Sequence, residues 1–284
     1  MSDFEPPLSP LFVPADRPDR FAKAAASGAD AIIVDLEDAV PPSRKNLGRH
    51  NLEMARHLAK PVFIRINPAG TEWHHADLEA LRVLGFDRIF VPKVEEAQSL
   101  DLIEAGLGRH VTIVAMIETA RGLMNAREIA KHQSVCQLAF GSADYALDLG
   151  ISPNPDAMSF ALSQLVIASR AEALPGPLDG PTFDLSDAEA GLAADVMRAV
   201  RLGAGGKQCI HPKQVETVRR LFVPSQEEID RAQNVMRAAG DADTLRVGDQ
   251  FADRPIVEQA RRLLAKAAAA ETRRWPKSNR PAVK

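Results

Sequence analysis

Residues 31–40 read AIIVDLEDAV: four apolar residues, then Asp35, Glu37 and Asp38 crowded into four positions. A short apolar, β-branched run has the character of a strand buried on both faces. Period-two alternation puts Asp35 and Glu37 on one side, and Leu36 and Asp38 on the other, wherever the strand continues. Runs of the same kind recur at LFVP (11–14), VFIRI (62–66), RIFVP (88–92), TIVAMI (112–117), CQLAF (136–140) and KQCIH (207–211), with a weaker one around ALPGPL (173–178). With AIIVD (31–35), these make eight predicted strands.

Amphipathic stretches with helical spacing separate them. Asp16 and Pro18 open ADRPDRFAKAAASG and Gly28 is placed to end it. SDAE (186–189) and SQEE (225–228) each set a hydroxyl three residues ahead of a glutamate, the spacing of a capping box. Strand and helix alternating from residue 11 to about 211 predict a parallel sheet covered on both faces. Eight units predict an α/β closed (β/α)8 TIM barrel over residues 8–222. A doubly wound open sheet is the alternative, but no GxGxxG follows the first strand. FVPSQEEIDRAQNVMRAAG and PIVEQARRLLAKAAAA read as two helices, joined by the turn-rich GDADTLRVGDQFADR, in an extension over 223–270. The basic, proline-bearing end, 271–284, is expected to be disordered.

Composition excludes several classes. The chain has 284 residues, 45% hydrophobic and 26% charged, with a formal net charge of -3, so no general polyanion-binding surface is indicated. Aromatics at 5% offer no platform for stacked bases. Cys136 and Cys209 stand far apart without a CxxC partner, which fits core packing in a reduced compartment rather than a zinc site. The N-terminus lacks a basic and apolar leader, and no apolar run approaches ~18 residues. The expectation is a soluble cytoplasmic protein that binds neither nucleic acid nor membrane.

In barrels of this kind the chemistry sits where the strands run out into their following loops. Those ends carry Asp35, Glu37, Asp38, Arg65, Asn67, Lys93, Glu118, Asp144, Asp179 and His211. Several carboxylates on one small rim need cations, because burying acids together raises their pKa values. Arg65 and Lys93 supply some positive charge, with Lys93 read as a neutraliser. The excess of oxygen donors suits a hard divalent ion such as Mg2+. The adjacent pair His74–His75 is expected at the surface.

Six segments then stand out together: LFVPADRPDRFAKAAASGADAIIVDLEDAV, VFIRINP, IFVPKVE, VAMIETARGLMNAREIA, LAFGSADYALDLG and GKQCIHPKQV. In order and spacing they resemble the citrate lyase β-subunit family, with its citryl-CoA, malyl-CoA and citramalyl-CoA lyases, within the HpcH/HpaI aldolase and phosphoenolpyruvate/pyruvate barrel superfamily. The resemblance covers roughly residues 8–265. It implies Mg2+ held by Glu118 and Asp144, with Glu37 and Asp38 holding metal-bound water. It implies that Arg65 binds substrate oxygens, its planar donors gripping a carboxylate or the developing enolate, and that Glu118 also faces substrate. The implied reaction is reversible cleavage of a 3-hydroxyacyl-CoA to acetyl-CoA and a 2-oxo acid such as oxaloacetate.

Arg17, Arg20 and Lys23, at the start of the first helix, become candidate contacts for coenzyme A phosphates. Asp253, in ADRPIVEQA, is similar to an aspartate that protonates the enolate carbon across a subunit boundary; the other reading makes it the cap of the last helix. A homotrimer or dimer of trimers is the expected assembly. Hydrolysis of the CoA thioester on the same scaffold is one alternative activity. Service as the β subunit of a citrate lyase complex, acting on a carrier-protein thioester, is another.

Overall fold

The computed structural model describes residues 6–186, 190–239, 245–247, 250–252 and 254–272. The chain divides into two compact units, Met1–Arg219 and Arg220–Lys284. In the first, eight parallel strands follow one another in chain order, with helices in the connections. They are β1 (Leu11–Pro14), β2 (Ile32–Asp35), β3 (Val62–Arg65), β4 (Arg88–Val91), β5 (Thr112–Ile117), β6 (Val135–Phe140), β7 (Leu178–Asp179) and β8 (Gly206–Lys207).

The full closure expected for a TIM barrel is met only in part. The two ends of the curled sheet meet without a continuous ladder: one parallel bridge joins Leu11 to Cys209, with Phe12 N donating to Cys209 O at 2.9 Å. Short last strands account for this. Pro175 and Pro177 have no N–H to offer a ladder, so β7 begins only at Leu178. Gly206 of β8 lies so close to the N-terminal segment that a Cβ there would sit 2.5 Å from the Leu8 carbonyl oxygen. The sheet can draw together at that point only around glycine.

Inside the curl, alternate residues pack as one apolar cluster: Ala31, Ile33, Phe63, Phe90, Val114, Met116, Ala139 and Leu178. The Phe90 ring meets Phe63 edge-on at 5.7 Å and Phe12 at 6.1 Å. Burying each such ring stabilises the fold by about 1.5–3 kcal/mol, and together they form a floor beneath the strand ends. Cys209 is fully buried and Cys136 half-buried, both free thiols. Burial pushes the Cys136 thiol up to about 12, so it is an unreactive packing group.

The stretch after β1 is shorter in helix than expected, with a 3-10 turn (Pro18–Arg20) followed by the six-residue helix Phe21–Ala26. Gly28 follows at φ +86, in the left-handed region suited to a helix end. In the second unit the SQEE capping box forms as expected: Ser225 N donates to Glu228 Oε2 at 2.8 Å, and Glu228 N to Ser225 Oγ at 3.3 Å. The helices Gln226–Ala239 and Arg254–Thr272 pack against each other. Their connection, read as turn-rich, holds a small antiparallel hairpin, β9 (Leu245–Val247) with β10 (Gln250–Ala252). Residues 187–189 of the SDAE box and the last twelve residues of the expected tail lie outside the described residues. Among the described residues, no helix is long and apolar enough to cross a membrane.

Candidate active site

Strand alternation brings the site together. Ile33, Phe63, Met116 and Ala139 belong to the inner apolar cluster. Two places further along the same faces stand Asp35, Arg65, Glu118 and Gly141. All four line a cavity of about 890 Å³, which Asp38, Asp144, Arg20, Lys23, Phe183, Gln208, His211 and Lys213 also help to line.

Asp35 and Arg65 are neighbours across the β2–β3 ladder. Arg65 Nε donates to Asp35 Oδ1 at 2.7 Å and Nη2 donates to Oδ2 at 2.6 Å, a bidentate pair. Asp35 also accepts the backbone N–H groups of Glu37 at 2.9 Å and Ala39 at 3.0 Å, so it shapes the acid loop. The strand stops there, and Glu37 and Asp38 sit in the following turn. The Arg65 guanidinium lies 4.7 Å over the Phe12 ring. Burial works against its charge, but Asp35, Glu37 and Asp38 raise its pKa well above the ordinary value.

The other acids are short of positive charge. Arg65 Nη1 lies 2.8 Å from Glu37 Oε2, at an angle that leaves this buried oxygen without a hydrogen bond. Glu37 Oε1 accepts from Lys93 Nζ at 3.4 Å. Burial, reinforced by Glu118, Asp38 and Asp35, pushes the Glu37 carboxyl up to about 8 against the opposing pull of Arg65. Burial and the neighbouring Asp144 push Glu118 up to about 7. Glu118 Oε1 accepts the Lys93 backbone N–H at 2.7 Å, while Lys93 Nζ lies 3.0 Å from Asp144 Oδ1. Asp38 is largely exposed, 3.7 Å from Arg65 Nη1.

A supporting network behind the loop was not legible beforehand. Lys45 Nζ donates to the carbonyl oxygens of Leu36 (2.6 Å) and Glu37 (2.8 Å) and to Asn67 Oδ1 (2.6 Å). Asn67 in turn donates from N and Nδ2 to Asp77 Oδ2, at 2.8 and 2.6 Å. His74, expected at the surface, is buried with Nδ1 2.8 Å from the Asn67 carbonyl oxygen; only His75 is exposed. Asp179, expected on the rim, is buried and paired with Lys207 Nζ at 2.8 Å. Lys45 and Asp77 are helical residues whose reach into the site follows from packing, which no local pattern encodes.

Of the three cations expected to meet coenzyme A, Arg20 and Lys23 line the cavity. Arg17 does not; it is held by Asp19, Nε to Oδ1 at 3.0 Å and Nη2 to Oδ2 at 2.9 Å. Lys213 joins the basic side instead, beside His211, whose Nδ1 accepts the Lys213 backbone N–H at 3.1 Å. The motif KQCIHPK marked this end of the sheet, although only His211 was singled out. Asp253 lies outside the described residues.

Curled parallel strands with acids and an arginine at their ends give the architecture of a barrel-derived α/β enzyme. The chain belongs to the HpcH/HpaI aldolase/citrate lyase family, whose model matches residues 8–212. It is 37% identical over 272 residues to a (3S)-malyl-CoA thioesterase of Cereibacter sphaeroides, covering 92% of this chain and 94% of the relative. It is 33% identical over 269 residues to a citrate lyase subunit beta-like protein of Mycobacterium tuberculosis, covering 92% and 95%. Its fold matches the crystal structure of protein CitE from M. tuberculosis in complex with magnesium, acetoacetate and coenzyme A, with TM-score 0.83 and 32% identity, over 92% of this chain and 98% of the other.

The residues present fit a divalent cation. Among the described residues no group of three or more His, Cys, Asp or Glu side chains is gathered as ready metal ligands. Glu118 and Asp144 form a two-carboxylate set, which suits an ion that keeps several positions for water and substrate. Around them, Asp35, Glu37 and Asp38 lie near the cations Arg65 and Lys93, with the Lys45 ammonium behind the loop. Glu37 Oε2 is buried and accepts no hydrogen bond, and the Glu37 and Glu118 carboxyls, raised chiefly by burial, would be drawn to their charged form by a divalent cation beside them.

Proposed function

We propose that the chain is a Mg2+-dependent carbon–carbon lyase. It cleaves a 3-hydroxyacyl-CoA, of the malyl-, citramalyl- or citryl-CoA type, reversibly to acetyl-CoA and a 2-oxo acid such as oxaloacetate, glyoxylate or pyruvate. The observation that carries this reading is a buried, bidentately fixed arginine lining the same cavity as the carboxylates of Glu118 and Asp144.

Glu118 and Asp144 would hold the ion, with Glu37 and Asp38 orienting its waters. When bound, Mg2+ supplies Lewis acidity and a template for substrate oxygens. Arg65 keeps two of its nitrogens on Asp35, so its direction is preset, and Nη1 faces the acid loop, where substrate oxygens would lie. In cleavage the 3-hydroxyl loses its proton to a base and the C2–C3 bond breaks. The electron pair passes to the thioester enolate, which Arg65 stabilises electrostatically, and C2 then takes up a proton. Asp253 is our candidate donor for that proton. Arg20, Lys23 and Lys213 give the cavity a cationic side suited to the phosphates of coenzyme A, while Phe12, backed by the Phe90 ring, gives it an apolar wall.

Hydrolysis of the same thioester is the second reading, supported by the likeness to a malyl-CoA thioesterase. The test incubates purified protein with each CoA ester, with Mg2+ or with EDTA. Acetyl-CoA and 2-oxo acid in equal amounts support the lyase; free CoA without acetyl-CoA supports hydrolysis.

We also read the curled sheet as a closed (β/α)8 barrel sealed at the Leu11–Cys209 bridge, followed by the helical extension. The assembly we propose is a homotrimer or dimer of trimers, acting in the cytoplasm.

A further inference from the structure

Lys93 touches three acids at once. Its backbone N–H is committed to Glu118 Oε1 at 2.7 Å, and its Nζ lies 3.0 Å from Asp144 Oδ1 and 3.4 Å from Glu37 Oε1. The residue adopts φ +50, a left-handed conformation that costs a side-chain-bearing residue about 1 kcal/mol or more. This turn aims the backbone donor at one carboxylate while the side chain returns to the other two. The side chain is 36% exposed, so the four-carbon stem has room to leave without disturbing the backbone contact.

We propose that the Lys93 ammonium is an exchangeable internal counter-ion, which holds Asp144 and Glu37 together in the metal-free protein and is displaced from Asp144 when the divalent cation binds. The inference rests on the reading of Glu118 and Asp144 as the metal pair. Two cations that share one carboxylate repel each other, more strongly beside a buried cluster than in water. The ammonium is a point charge on a flexible chain and can swing away, whereas a guanidinium fixed as Arg65 is fixed cannot. Arg65 is therefore the permanent cation of the site and Lys93 the replaceable one. The exchange keeps the acid cluster from standing uncompensated at low Mg2+ and sets a threshold for metal uptake.

Two measurements on the full chain test it. Isothermal titration of Mg2+ into wild type, Lys93→Met, Lys93→Gln and Glu118→Gln reads binding without turnover. The expected result is tighter binding by about tenfold or more in both Lys93 variants, together with a lower melting temperature in EDTA that Mg2+ restores. Unchanged or weaker binding in a folded Lys93 variant overturns the exchange. Wild type that binds no Mg2+, or binds it as Glu118→Gln does, overturns the metal reading itself.

The second measurement needs no variant. Reductive methylation of wild type with formaldehyde and cyanoborohydride, read by mass spectrometry, should modify Lys93 several-fold faster in Mg2+ than in EDTA, with exposed Lys131 as the internal reference. Equal rates relative to Lys131 contradict the proposal even if neither Lys93 variant folds.

Discussion

Arg65 and Asp35 stand side by side at the ends of adjacent parallel strands and are joined by two hydrogen bonds of 2.7 and 2.6 Å. Asp35 is wholly buried, and it also fixes the turn that carries Glu37 and Asp38. Removing one partner of a buried pair costs about 3–5 kcal/mol, because the other charge is left uncompensated. Asp35→Asn should therefore lower unfolding stability by several kcal/mol in urea titrations and depress turnover. A variant with wild-type stability would show that the pair holds nothing in place.

Gly141 lies where strand alternation brings it against Glu118. A Cβ there would collide with the Glu118 carboxylate and stand 2.6 Å from its Cβ. Gly141→Ala should displace Glu118, weakening Mg2+ binding measured by calorimetry, with an overpacking cost of about 1–3 kcal/mol. Unaltered Mg2+ affinity would mean that the position of Glu118 is not what holds the ion.

A pH prediction comes from Asp195, on the helix Ala190–Leu202. Burial alone would raise the Asp195 pKa, but Lys207, Thr182 and Arg198 outweigh it and hold the carboxyl down at about 2. Lys207 Nζ is 2.8 Å from Asp195 Oδ2 and Arg198 Nη2 is 2.7 Å from Oδ1. A depressed folded-state pKa gives stability that is present above the unfolded value near 4 and is lost as pH falls through about 2. The contribution is on the order of 2 kcal/mol. Asp195→Asn should flatten that part of the stability–pH curve; an unchanged acid limb would contradict the assignment.

Much of this site can be read in the chain before any coordinates, because Asp35, Arg65 and Glu118 each follow an inward apolar residue by two places on a short strand. AIIVDLEDAV is a case in point: the strand ends at Asp35, so the three acids take different environments, and Asp35 is answered by Arg65, 30 residues away in sequence and next to it in space. What the chain hides depends on packing at a distance. Lys45 reaches the acid loop from a helix, His74 is drawn inward by Asn67, and Arg17 turns to Asp19 instead of the cavity. Prolines before β7 and crowded glycine at β8 shorten the last strands, which the apolar pattern alone overstated.

The most direct test of the central claim is a single assay. Purified protein is given malyl-CoA or citramalyl-CoA in Mg2+ or EDTA, and acetyl-CoA, 2-oxo acid and free CoA are followed together by mass spectrometry. Acetyl-CoA and 2-oxo acid are expected in equal amounts, only with Mg2+, with loss of both in Arg65→Gln. Turnover that persists in EDTA, or free CoA released without acetyl-CoA, would contradict it.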